Sequence, residues 1–166
     1  MRIHSISYPD INNGLGCRVT IWVAGCSHHC KGCQNRETWP FKSGRPFSSG
    51  DKEKLFDILS RDYIKGITFS GGDPLDSLDD TVSLMAEVKK RLPKKDIWLY
   101  TGYTLSEIEN SDKRKALEYT DVLVDGEFIL AQRDITLEFR GSSNQVIYEK
   151  KDGKFVKSEL NNKEED

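Results

Sequence analysis

The sequence predicts an α/β fold, an open, partial (β/α) barrel of mainly parallel strands with a C-terminal hairpin, and three observations lead there. Short β-branched runs alternate with segments of helical periodicity, the pattern of right-handed βαβ units, because parallel strands need a crossover long enough to hold a helix. The chain has 166 residues, whereas eight βα units take roughly 250, so such a barrel stays open. Near the end Asp152-Gly153 separates two β-prone runs, and Asp-Gly is a strong hairpin-turn signal.

Taken in order, Arg18-Val19-Thr20-Ile21-Trp22-Val23-Ala24 is an apolar, β-branched run ending at Gly25, which predicts a buried first strand. Residues 32–50 are rich in Gly, Pro, Ser and charge and predict an irregular loop. Behind Ser48, Ser49 and Asp51, the spacing of Leu55, Phe56, Ile58 and Leu59 predicts a helix over 51–61. The run 66–70 is a second strand, closed by Gly71-Gly72-Asp73-Pro74. Ser77 and Asp80 have capping-box spacing, and Leu78, Val82, Met85, Val88 and Leu92 share one helical face until Pro93. Residues 97–101 predict a third strand, Thr104 with Glu107 opens a helix running to Tyr119, and 122–124 make a fourth strand. The hairpin arms are 145–148 and 155–156. Residues 1–157 thus form a single domain, and 158–166, acidic with almost nothing to bury, are expected to be disordered.

With 25 basic and 27 acidic residues the formal net charge is −2, so no overall positive field draws in nucleic acid or anionic lipid. No apolar run reaches the roughly 20 residues that span a bilayer, and the N-terminus lacks the apolar stretch of a secretory signal. The expectation is a cytoplasmic protein with neither a nucleic-acid nor a membrane partner.

In a reducing compartment, closely spaced thiols are metal ligands or catalysts more often than disulfides. Cys26, Cys30 and Cys33 fall on one short loop directly after the first strand, while Cys17 stands apart. Thiolates suit zinc or iron-sulfur clusters. Structural zinc takes four protein ligands, often as two pairs, and no second Cys-x-x-Cys or His pair of that spacing occurs. His28, His29 or a folded-back Cys17 could complete a zinc site. A [4Fe-4S] cube held by three cysteines instead leaves one iron open to a substrate.

Cys-x-x-x-Cys-x-x-Cys after a first strand resembles the signature of the radical-SAM superfamily, and Gly71-Gly72-Asp73-Pro74, one βα unit later, is similar to its Gly-Gly-Glu-Pro turn. Cys30-Lys31-Gly32-Cys33-Gln34-Asn35-Arg36-Glu37-Thr38-Trp39 further resembles the Cys-x-Gly-Cys-x-Asn-x-x-Thr-Trp stretch of anaerobic ribonucleotide-reductase activating proteins. Residues 124–128 and 140–145 look like later motifs of that family, so the resemblance runs from about Gly14 to Gln145.

This resemblance implies a partial barrel of the radical-SAM type and a [4Fe-4S] cluster on Cys26, Cys30 and Cys33 that reductively cleaves S-adenosylmethionine. The resulting 5'-deoxyadenosyl radical would make a glycyl radical on the anaerobic ribonucleoside-triphosphate reductase. A one-electron donor such as flavodoxin is implied as a second partner. No side chain is expected to act as acid or base. Gly32, Cys33 and Gln34 lie where family members contact S-adenosylmethionine, Gly71, Gly72 and Asp73 where its amino group is received, and Thr101-Gly102-Tyr103 where its nucleoside or methionyl part is touched.

Blander readings stand beside these. Asp73 could cap the helix after Pro74, and 101–103 could be an ordinary strand-to-helix turn. Arg140 could bind a carboxylate or a partner, or form a surface salt bridge, and Asp125 and Glu127 carry no assigned role. Cys17 reads as a small buried residue, and His28 and His29 as exposed loop residues. Competing functions are activation of another glycyl-radical enzyme such as pyruvate formate-lyase, action on a nucleoside precursor, and a zinc-stabilised interaction module without catalysis.

Overall fold

A computed structural model describes residues 1–162. Its strands are β1 (Arg2–Asp10), β2 (Arg18–Val23), β3 (Arg45–Pro46), β4 (Gly66–Gly71), β5 (Asp96–Tyr100), β6 (Val122–Asp125), β7 (Val146–Lys151) and β8 (Lys154–Lys157). The helices are α1 (Ser49–Leu59), α2 (Leu78–Arg91) and α3 (Leu105–Glu109). All eight strands join one open sheet in the order β3-β1-β2-β4-β5-β6-β7-β8. At its centre β2, β4, β5 and β6 run parallel, and the flanking pairs are antiparallel. The α/β class and the C-terminal hairpin are as expected. The predominance of parallel pairing is not, because β1 and β3 extend one edge antiparallel while β7 and β8 extend the other.

Side chains alternate across the sheet as the pleat requires. Val19, Ile21, Ile67, Phe69, Ile97, Leu99 and Leu123 are fully buried on one face, packed with Leu55, Ile58 and Leu59 of α1 and Leu84, Met85 and Val88 of α2. The other face carries a smaller cluster of Trp98, Val122, Val124 and Ile147, against which Leu15, Tyr100, Phe139 and Leu160 pack. There the guanidinium of Arg18, wholly buried, pairs with Asp96 at 2.7 Å and donates to Thr68 Oγ1, the Ile67 carbonyl and the Leu15 carbonyl. A buried charge is tolerable only when paired and saturated in this way.

Two helix expectations are modified. Ser77 makes no capping hydrogen bond, because Pro74–Ser77 already forms a 3-10 turn leading into α2, and Asp73 caps that turn by accepting from Leu75 N. The helix expected from Thr104 to Tyr119 keeps its capping box but ends at Glu109. Asn110 and Ser111 turn their side chains onto the Ser106 and Ile108 carbonyls, and a separate 3-10 segment, Asp112–Glu118, follows.

Of the tail expected to be disordered, Glu159–Asn162 forms a 3-10 turn; residues 163–166 lie outside the described residues. Asn161 exchanges hydrogen bonds with both backbone groups of Ile147, so polar pairing anchors a segment that offers little to bury. Among the described residues, no helix is long and apolar enough to cross a membrane.

Candidate metal centre

Because β2, β4, β5 and β6 are parallel, their carboxyl ends share one edge of the sheet, and the loops leaving them meet there. The loop after β2 is closed at its base. Gly25 N donates to the Thr38 carbonyl at 2.7 Å and Cys26 N to the Trp39 carbonyl at 3.1 Å. Within it Cys33 N donates to the Cys30 carbonyl, and Asn35 N donates to Cys33 Sγ at 3.4 Å. Cys26, Cys30 and Cys33 thereby line a single pocket with Trp39, Gly72 and Gln145. Cys17 precedes the opposite end of β2 and packs beside the main core.

The glycines of the β4 turn are required first by the protein itself. A Cβ on Gly72 would stand 2.3 Å from the Gly25 carbonyl oxygen, since Gly72 N and Asp73 N donate to the Val23 and Gly25 carbonyls at 2.7 and 2.8 Å. The turn is thus fastened to the root of the cysteine loop.

Asp73 is 1% exposed. Its carboxylate accepts from Leu75 N, Thr101 Oγ1 and Gly102 N and meets His28 Nε2 at 2.6 Å. The capping reading therefore holds, and the Thr101 hydroxyl is spent on Asp73, although both residues line the pocket.

His28 departs most from expectation. Its side chain is 9% exposed and reaches two carboxylates, with Nε2 at Asp73 and Nδ1 2.9 Å from Glu127 Oε1. The Asp73 carboxylate pushes the imidazole up to about 9 against the opposing pull of burial. The ring lies edge-on to Tyr103 with centroids 4.4 Å apart. Beside it, Ser27 N and Oγ donate to Asp76, whose other oxygen accepts from Tyr103. His28, Asp73 and Asp76 bring their ligand atoms within 4.8 Å of one another, and hydrogen bonding accounts for that convergence. His29 is exposed as expected and stacks on Trp39 at 4.7 Å. The available signal for His28 was a pair of acidic strand-end turns, Gly-Gly-Asp and Asp-Gly-Glu, facing one histidine-bearing loop.

The remaining candidates separate. Gln34 is exposed and, with Cys33 and Asn35, borders a second depression that reaches Trp22, Ser70 and Tyr100. Gly32 is exposed on the outer turn under Leu130. Arg140 donates to the Gln145 and Asn161 carbonyls, holding the entry to β7 and the C-terminal turn. Asp125 accepts from Leu105 N and Val146 N, and burial pushes its carboxyl up.

Three soft donors at one mouth suit an iron-sulfur cluster. The buried indole N–H of Trp39, which lines the same pocket, has no protein partner, and N–H donors at the sulfurs are a common means of tuning such clusters. Burial pushes the Cys26 thiol up to about 11, with Asp73 and Asp76 adding to the effect, so ligation must displace a proton there.

An open α/β sheet with three cysteines at its parallel strand ends defines a single-cluster iron-sulfur protein, and residues 12–148 match the family described as a 4Fe-4S single cluster domain. Similar proteins named anaerobic ribonucleoside-triphosphate reductase-activating protein occur in Vibrio cholerae (45% identical over 152 residues, covering 89% of this chain and 97% of that one) and Haemophilus influenzae (44% over 146 residues, 85% and 94%). The Escherichia coli protein of that name is 41% identical over 152 residues, 89% and 98% of the two chains. The chain belongs to the family of anaerobic ribonucleoside-triphosphate reductase-activating proteins.

Proposed function

We propose that the protein activates an anaerobic ribonucleoside-triphosphate reductase by reductive cleavage of S-adenosylmethionine, as a partial radical-SAM barrel with its cluster on Cys26, Cys30 and Cys33. The observation that carries this reading is the arrangement of thiols: three at one mouth, with the fourth cysteine at the far end of β2. Cys26, Cys30 and Cys33 would hold the cluster, which, reduced by an external donor, would supply the one electron needed to cleave the sulfonium C5'–S bond to methionine and a 5'-deoxyadenosyl radical able to take a hydrogen atom from a glycine Cα of the reductase.

The chain's own residues bind and orient. The Gly71-Gly72 turn lines the same pocket as the three cysteines, and its backbone carbonyls would suit a methionyl ammonium. Asp73 braces that turn, with its lone pairs committed to protein donors. Thr101 acts through Asp73, and Gly32, Cys33 and Gln34 form the outer wall. The cluster loop is bordered on one side by Leu130, 42% exposed, and on the other by Ile135, 85% exposed. An apolar rim of this kind suits a protein substrate, which must bring its glycine to the mouth. A flavodoxin-like protein is the proposed electron donor.

Anaerobic reconstitution tests the reading. Bound iron and sulfide, formation of 5'-deoxyadenosine on reduction with S-adenosylmethionine, and a glycyl-radical resonance when an anaerobic ribonucleoside-triphosphate reductase is added are the expected results. Zinc alone would overturn the catalytic reading, and 5'-deoxyadenosine without the resonance would redirect it to another target.

A further inference from the structure

The residues between the cysteines are gripped by a set of side chains that cluster ligation does not require. Ser27 and His28 meet Asp76 and Asp73 of the turn after β4, Gly102 and Tyr103 after β5, and Glu127 after β6. His28 is the element common to all three strand ends. Its two ring nitrogens bridge Asp73 and Glu127, and its ring fills the space that a side chain at Gly102 would take, a Cβ there lying 2.6 Å from the imidazole. Gly102 adopts no backbone conformation reserved for glycine, so the absent side chain is explained by the histidine.

We propose that His28 is a positioning residue: by fastening the cysteine loop to the ends of β4, β5 and β6 it fixes the distance between the cluster thiols and the Gly71-Gly72 turn. This rests on the reading above, in which one S-adenosylmethionine spans the cluster and that turn. A ligand chelated at one end and bound at the other gains affinity only if the two ends are held in register. His28 acts through Asp73 and touches no reacting atom. Ligation by three thiolates does not need it, so its loss separates cluster content from S-adenosylmethionine binding.

The test uses the full chain, reconstituted anaerobically, with iron and sulfide content and the S-adenosylmethionine concentration at half-change of the reduced cluster's paramagnetic resonance as readouts. His28→Ala is expected to keep wild-type iron content while the midpoint rises about tenfold, the scale of a lost charge-assisted hydrogen bond. His28→Gln, whose amide nitrogen reaches the Nε2 position, recovers most of the affinity. His28→Asn, which mimics Nδ1, recovers less. Gly102→Ala raises the midpoint by displacing the ring but adds nothing in a His28→Ala background.

A midpoint within twofold of wild type in fully loaded His28→Ala overturns the proposal, as does Gln behaving like Ala. If His28→Ala loads no cluster, His28→Gln and Gly102→Ala decide, and wild-type midpoints in Gly102→Ala overturn it. If the wild-type cluster does not respond to S-adenosylmethionine, the functional reading fails on its own. Hydrogen exchange in the metal-free chain then decides the clamp, with amides of 27–33 exchanging faster in His28→Ala and protected again in His28→Gln, while unchanged exchange overturns it.

Discussion

Cys17 and Cys26 stand at opposite ends of β2, one just before Arg18 and the other three residues beyond Val23. At about 3.3 Å per strand residue, roughly 20 Å of chain separates them. No rotamer brings Cys17 to the mouth where Cys26, Cys30 and Cys33 meet. Changing any of the three to Ser is therefore expected to abolish stable iron binding and cleavage of S-adenosylmethionine, whereas Cys17→Ser should retain the full iron content. Iron and sulfide assays of the four variants check this.

The apolar rim gives a second expectation. Ile135→Asp places a charge on an 85% exposed side chain beside the second depression. Cluster content and 5'-deoxyadenosine formation without reductase should be unchanged, and the yield of glycyl radical on the reductase should fall about tenfold, as for loss of an interface anchor. Equal radical yield would remove this rim from the docking surface.

Arg18 ties β2 to β4 and β5 through Thr68, the Ile67 carbonyl and Asp96. Arg18→Ala removes the guanidinium donor from these three acceptors. The expected loss is about 3 kcal/mol, at the low end for breaking a buried pair because the Asp96 side chain is 26% exposed. Urea unfolding of the metal-free chain measures it.

Asp10 supplies a pH-dependent contribution. Burial pushes its carboxyl up, but hydrogen bonds from Asn13, Thr20 and Asn12 outweigh that and hold it below the ordinary 3.8. The unfolded chain then binds a proton more readily than the folded one. The stabilisation is present above 3.8 and lost as the pH falls through the folded value. Asp10→Asn should cost about 1–3 kcal/mol at pH 7, and its deficit should shrink as the pH is lowered from 5 toward 2. A constant deficit in acid denaturation curves would contradict the assignment.

The four parallel strands were legible because each is a short run buried on both faces, as in β2, where Val19 and Ile21 pack against the helices and Arg18 and Thr20 are buried on the other side. β1 was not, since Arg2–Asp10 mixes His4, Ser5, Ser7 and Pro9 into a strand that depends on pairing with β2. The thiols and the Gly-Gly-Asp turn could be named from spacing, because their chemistry is local. Asp73 could be named as a cap, but its bonds to Thr101, Gly102 and His28 could not, because they depend on which strand ends become neighbours. The polar grip on His28 joins residues 45 and 99 positions away in sequence.

The proposed function requires one iron that no protein thiolate occupies. Mössbauer spectroscopy of the protein reconstituted with 57Fe, before and after S-adenosylmethionine, tests it most directly. One iron of the four should change its isomer shift on addition, as its coordination changes while three thiolate-bound irons stay as they were. Four equivalent irons, indifferent to S-adenosylmethionine, would mean a fully protein-ligated cube and would contradict the account.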